Sequence, residues 1–294
     1  MPTLTVPILH AFSDGDEGGN PAGVVLDAER LTPAERQQIA AQIGLSETAF
    51  VSASDMADFR LEFYTPTRQI IDCGHATVAA FSLLSQRGLL SGPHSAKQLA
   101  DGSVRAIALM EGRVFMEQPV PQYMTLDGSG VTIAEVLASL GLTVADLQPG
   151  PPPMIAQTSG RGLFIPVRDA NTLRRLTPDM PAIHAISDTL ALVEYYVFSL
   201  ETHVAGRDAG ARMFAPRYGI PEESATGIAA GPLACLLRDH FGVHKSRLII
   251  EQGRFMTPPA PSELVVDLTL TDDGITAVQV GGRAYLTTPV HLVW

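Results

Sequence analysis

Residues 64–80 read YTPTRQIIDCGHATVAA, and residues 214–233 read FAPRYGIPEESATGIAAGPL. Both open on an aromatic-x-Pro triplet, pass through a variable loop, and end on a glycine followed by small helix formers. The two glycines, Gly74 and Gly227, stand 153 positions apart in a chain of 294 residues. A glycine lets the backbone approach a ligand closely. The first amides of the helix behind it carry unpaired N–H groups and the positive end of the helix dipole. The echo therefore predicts two similar halves, each with a helix whose head can cradle an anion, most simply a carboxylate.

On either side of these segments the pattern is mostly strand. Residues 4–12 and 22–26 are apolar runs separated by a polar, glycine-rich loop, which reads as a hairpin. Thr32-Pro33-Ala34-Glu35 sets a cap residue, a first-turn proline and an acid ahead of apolar Ile39, Ala40 and Ile43, with Gly44 as a stop. Strands are predicted over 48–52, 59–64, 104–110 and 113–117, the last two joined by a Glu-Gly turn, and a helix over 76–87 closed by Gly88. In the second half a capping box, Thr132-Ile133-Ala134-Glu135, starts a helix reaching about Leu140, and Pro149 to Pro153 form a rigid connector. Strands follow over 162–167 and 190–200, a helix over 228–240, and strands over 247–251, 264–270 and 275–280, with a short apolar run over 290–294. Many strands and few helices predict an α+β protein rather than a doubly wound parallel sheet.

Composition narrows the function. The chain is 46% hydrophobic with a net charge of −11, and lysine and arginine form no run, so nucleic acid is not an expected partner. No secretory signal pattern and no membrane-length apolar segment are found, so the expected location is cytoplasmic with no membrane association. Two cysteines, Cys73 and Cys235, without Cys-x-x-Cys spacing predict free thiols and no thiolate zinc site. Asp14-Gly15-Asp16-Glu17-Gly18-Gly19-Asn20 begins like a calcium loop, but Val25 stands where a bidentate glutamate belongs. His240 and His244 straddle Gly242 near a helix end, so no metal site is expected, and no Gly-x-Gly-x-x-Gly follows a strand to bind a dinucleotide.

Three residues near the first glycine could do chemistry. Glu47, in LSETAFV, opens a strand between Ser46 and Thr48. Partial desolvation there would raise its pKa toward the range of a general base; taken alone it reads as a solvated loop acid. His75 reads as a functional group or as a packed helix-cap histidine. Cys73 could be a racemase thiol with a pKa lowered at a helix N-terminus, although the echo puts Thr226 at its matching position and Cys235 well inside the second helix. The pair Glu222 and Glu223 precedes the second helix, where acids complement the dipole.

These stretches, together with HAFSDGDEGGNPAGVVL near the start and the looser IIEQG and VQVGGRA near the end, resemble the PhzF-like phenazine-biosynthesis family. The resemblance implies a diaminopimelate epimerase-like fold: two similar α+β domains, each a curled, mostly antiparallel sheet around a central helix, over residues 1–121 with 282–294 and residues 122–281. It implies an active site between the domains, no cofactor, a small carboxylated metabolite as partner, and a homodimer. By the family's motifs Glu47 is the acid/base that shuttles a proton. Ser46, Gly74, His75, Glu223, Thr226, Gly227 and Ile228 hold the substrate. The family's second motif reads Glu-Asp-Pro-x-Thr-Gly-Ser; here it is Glu222-Glu223-Ser224-Ala225-Thr226-Gly227-Ile228. The longer carboxylate and the missing hydroxyl alter which substrate fits. The expected function is a cofactor-independent isomerase. Its rivals are an amino-acid epimerase using Cys73 and a small-molecule binding protein without catalysis.

Overall fold

A computed structural model describes residues 3–293. The chain divides into two compact units, one from residues 3–117 and 281–293, the other Gln118–Val280. The sequence puts the first boundary after Pro121. It falls four residues earlier because Gln122–Met124 is a strand paired antiparallel with Met154–Gln157, and Gln118 donates through Nε2 to the Gly227 carbonyl at 2.9 Å.

In the first unit Thr3–Val6 pairs antiparallel with Val290–Val293, so the end of the chain returns to its beginning. The expected single strand over 4–12 is broken at Pro7, which lacks an N–H for a ladder, and Ile8–Ala11 goes on to form the hairpin with Asn20–Val25. Helix α1 (Pro33–Ile43) carries the expected capping box between Thr32 and Glu35 and ends at Gly44, whose φ of 70° suits glycine. It crosses to Glu47–Ser52, which lies parallel to Asn20–Val25; Phe59–Tyr64 follows antiparallel, and the short Gln69–Ile70 folds back on it. Helix α2 (Gly74–Gln86) then leads to His94–Gln98, parallel to Phe59–Tyr64, and Val104–Met110 and Arg113–Gln118 complete the antiparallel edge. Ala284–Leu286 pairs with the other side of Ile8–Ala11. Every residue of α2 from His75 to Leu84 is buried, and the helix packs on four strands of this sheet, which makes it the unit's core.

The second unit repeats this plan. Met154–Gln157 and Arg161–Pro166 form an antiparallel pair after the short helix α3 (Ile133–Ala138), which has the expected capping box. Helices α4 (Ala170–Arg174) and α5 (Met180–Leu190) cross to Glu194–Ser199, parallel to Arg161–Pro166. Ala209–Ala215 follows antiparallel, with Ile220–Glu223 folded back on it. Helix α6 (Gly227–Phe241) leads to Arg247–Gln252, parallel to Ala209–Ala215, and then to antiparallel Ser262–Thr271. The echo between residues 64–80 and 214–233 is thus the same turn of one repeated topology.

Two expectations in this half are corrected. Residues 180–190 are helix, capped by the Asp179 side chain, with Pro181 in the first turn and Ala191 turning the chain at φ 54°, so the strand expected from 190 begins only at Glu194. Ala209–Ala215 was not legible as a strand because all seven of its residues are buried and no alternation marks it. Among the described residues no helix is long and apolar enough to cross a membrane.

Candidate active site

The first residue of strand Glu47–Ser52 and the head of α2 meet inside the first unit. Glu47 Oε2 lies 3.1 Å from His75 Nε2, with the carboxylate side chain 12% and the imidazole 6% exposed. Ser46 Oγ stands 3.5 Å from the same nitrogen. Cys73 Sγ is 3.6 Å from His75 Nδ1, and Asn20 Nδ2 is 3.2 Å from it. The glycine-rich loop that looked like a calcium loop has a different use: it ends on Gly19, at φ 77°, where a Cβ would stand 2.8 Å from the Ala11 carbonyl oxygen. That tight passage delivers Asn20 to the imidazole.

The segment before α2 is anchored from behind. Thr77 donates through Oγ1 to the Cys73 carbonyl at 2.7 Å, and the buried Lys97 ammonium donates to Thr77 Oγ1 at 2.7 Å and pairs with Asp72. Lys97 is far from the site along the chain and has no local motif; Asn20 lies in the stretch HAFSDGDEGGNPAGVVL, but nothing there marks its contact with His75.

The charges differ from the expectation for Glu47. Burial pushes its carboxyl up, but the hydrogen bond and charge of His75, with contacts from Ser46 and Cys73, outweigh that and hold it below its ordinary value. Burial works against a proton on His75, yet the Cys73 sulfur and the Glu47 carboxylate hold its pKa well above the usual imidazole range. Burial raises the Cys73 thiol, with His75 only partly offsetting it, so the lowered thiol pKa expected at a helix N-terminus is not found. Cys73 and Glu47 both act on His75, and of the two it is the Glu47 carboxyl that is held below its ordinary value. Glu47 and His75 form an ion pair across a 3.1 Å contact. The donor atoms of Glu47, Cys73 and His75 all lie within 4.8 Å of one another, a spacing a first-row metal ion could bridge; the opposite charges of Glu47 and His75 balance without one.

In the second unit the head of α6 has its own network. Gln252 is its hub: Tyr196 donates to Oε1 at 2.8 Å, the Thr226 amide donates to the same atom at 3.1 Å, and Nε2 donates to the Glu223 carbonyl at 2.8 Å. Thr226 Oγ1 donates to Glu223 Oε2 at 3.1 Å. The two acids of the pair are distinct, because Glu222 is held by Arg212 in a two-pronged contact at 2.8 Å while Glu223 faces the helix head. Ile228 is 44% exposed there.

The helix heads differ in kind. Thr32, Thr132, Asp169 and Asp179 accept hydrogen bonds from first-turn amides and so cap α1, α3, α4 and α5. At α2 and α6 the N-cap residues Cys73 and Thr226 make no side-chain cap bond. Uncapped amides at the two echoed glycines are the arrangement that an incoming anion would complete.

The family model for phenazine biosynthesis-like proteins, PhzC-PhzF, matches residues 9–288. The chain belongs to this family. An uncharacterized isomerase of Deinococcus radiodurans is 34% identical over 94% of this chain and 90% of its own length. The trans-2,3-dihydro-3-hydroxyanthranilate isomerase of Pseudomonas fluorescens is 30% identical over 94% of each chain. The crystal structure of a Bacillus anthracis phenazine biosynthesis protein of the PhzF family superposes with a TM-score of 0.90 over the whole of both chains, at 27% identity. The family membership and the epimerase-like α+β fold expected from the sequence are both borne out. For this PhzF-family chain, the motif residues of the first half, Ser46, Glu47, Cys73, Gly74 and His75, gather at the head of α2. Those of the second half, Glu223, Thr226, Gly227 and Ile228, gather at the head of α6.

Proposed function

We propose that this PhzF-family protein is a cofactor-independent isomerase that moves a proton within a small carboxylated metabolite, with Glu47 as the acid/base. The observation that carries the reading is the buried Glu47–His75 ion pair at 3.1 Å, in which the carboxyl is held below its ordinary value. An ionised, water-poor carboxylate can take a proton from a carbon acidified by a neighbouring unsaturated group. It then holds the proton and returns it to another carbon on the same face of the substrate. A charged His75 imidazole beside Glu47 compensates the negative charge that develops on the substrate in between. One carboxyl suffices for such a transfer, whereas inversion at one carbon requires two opposed acids.

The groups proposed to hold the substrate are Ser46, His75, Glu223 and Thr226, with the backbone amides at Gly74, Gly227 and Ile228 available to a carboxylate. Isoleucine at 228 offers its amide though not a hydroxyl. The Cys73 epimerase reading is less favoured, because burial keeps that thiol protonated. The isomerase named for the Pseudomonas fluorescens relative suggests trans-2,3-dihydro-3-hydroxyanthranilate as the first compound to assay.

The test is a screen of carboxylated metabolites in deuterated water, scored by mass gain and by product. Glu47→Gln should lower turnover by about 10²- to 10⁴-fold while leaving the fold intact. Full turnover by Glu47→Gln would sink the mechanism. Ligand-induced melting shifts without any deuterium entering a ligand would favour a binding protein instead.

A further inference from the structure

Glu194 opens Glu194–Ser199 in the second unit as Glu47 opens Glu47–Ser52 in the first. The correspondence holds in register. Each glutamate lies opposite a residue of the parallel strand that precedes the crossover, Ala22 for Glu47 and Gly162 for Glu194. The next residue of each strand pairs with the aromatic that begins the echoed segment, Thr48 with Tyr64 and Tyr195 with Phe214. Glu194 is therefore the counterpart of Glu47, and no sequence motif marks it.

Its surroundings are different. Glu194 is 4% exposed, and its Oε2 is buried with no hydrogen-bond partner among the described residues. An unpaired buried carboxyl costs on the order of 1–3 kcal/mol, which a structural role alone does not explain. Gly162 makes room for it, since a Cβ there would stand 2.8 Å from Glu194 Oε1. Glu194 lines a small cleft with Thr158, Ser159, Ile228 and Pro232; its volume of about 10 Å³ admits one water-sized group, such as one oxygen of a carboxylate. Ile228 belongs to the first turn of α6 and Pro232 to the second, and the N-cap side chain of this helix makes no cap bond.

We propose that Glu194 is a carboxylate-binding acid whose O–H donates to one oxygen of the ligand's carboxylate at the head of α6. The proposal deepens the reading given above and rests on its carboxylated ligand. It does not depend on Glu47 being the base. Burial, with the charge of Glu223, pushes the Glu194 carboxyl up to about 8, so near neutral pH it is a hydrogen-bond donor. The charge that acts on it is Glu223 on the strand Ile220–Glu223; Tyr196 on its own strand has its hydroxyl engaged by Gln252. On the neighbouring strand Arg161 is turned to Gln157 and to the Leu190 carbonyl. Once ionised, Glu194 would repel the anion it had bound.

The experiment is a benzoate titration of the ¹⁵N-labelled full chain between pH 6.5 and pH 9, followed at the Ile228 amide. Binding at pH 6.5 should saturate, and the apparent affinity should fall about tenfold by pH 9 as the protonated fraction shrinks. Glu194→Gln keeps a donor of the same shape that cannot ionise, so it should bind benzoate and lose that fall. The proposal is overturned if saturating benzoate leaves Ile228 unmoved at pH 6.5, or if Glu194→Gln keeps the parent's pH dependence. The isomerase reading fails separately, through deuterium incorporation by Glu47→Gln, and either result stands without the other.

Discussion

Replacing Glu194 by glutamine should stabilise the protein in a way that grows with pH. The carboxyl has an ordinary value of 4.5 and is pushed up to about 8 in the folded chain by burial and by Glu223. Between these two values the folded state keeps a proton that the unfolded state has released. The folded state then binds more protons, so stability falls as pH rises through this window, by up to about 1.4 kcal/mol per pH unit. Below about pH 4.5 both states hold the proton, and above about 8 neither does, so the slope vanishes at both ends. The whole window amounts to at most ~5 kcal/mol. Glutamine fills the same space and cannot ionise. The assay is urea unfolding of the parent and Glu194→Gln from pH 4 to pH 9, with hydrogen exchange of the α6 amides identifying the transition of the second unit. The difference in stability between the two proteins should grow in favour of glutamine across pH 5–8 and then level off. A difference that stays constant across that range would refute the argument, because it would mean that Glu194 ionises alike in the folded and unfolded chains.

Two further outcomes follow from particular contacts. Cys73→Ser should keep turnover within about threefold of the parent, since the buried thiol stays protonated and is not the proton carrier; a loss of two orders of magnitude in the same deuterium assay would restore the thiol mechanism. Gly253→Ala should destabilise by about 3 kcal/mol in urea unfolding, because φ there is +75° and a Cβ would stand 2.1 Å from the Ala260 carbonyl oxygen and 2.7 Å from that of Ser224, both backbone atoms. Parent-like stability in that variant would show that the turn is not held as tightly as those distances require.

Much of the fold could be read locally. Capping boxes at Thr32 and Thr132 are written in four consecutive residues, and both appear where their spacing puts them. Residues 113–117 and 104–110 announce their hairpin through a Glu-Gly turn, formed with Glu111 at φ 54° and Gly112 at φ 71°. The omissions have separate causes: Ala209–Ala215 is covered on both faces, so its periodicity is erased, and the helix over 180–190 is signalled only by Asp179 and Pro181 at its start. The site divides in the same way. Ser46, Glu47, His75, Gly74 and the second motif stand in short recognisable strings, and Asn20 and Gln252 lie in the looser ones, GGNPAG and IIEQG, whereas Lys97 and Glu194 enter their sites with no pattern of their own.

By itself the sequence determined that the chain is built twice over, because each half must carry its own glycine, small-residue helix and aromatic-x-Pro turn to form that unit. It also determined the family, through strings of residues that lie next to one another. Tertiary structure alone decided the electrostatics. Desolvation and neighbouring charge are properties of a place, and two glutamates that open equivalent strands come out opposite. His75 keeps Glu47 ionised, while burial and Glu223 keep Glu194 protonated.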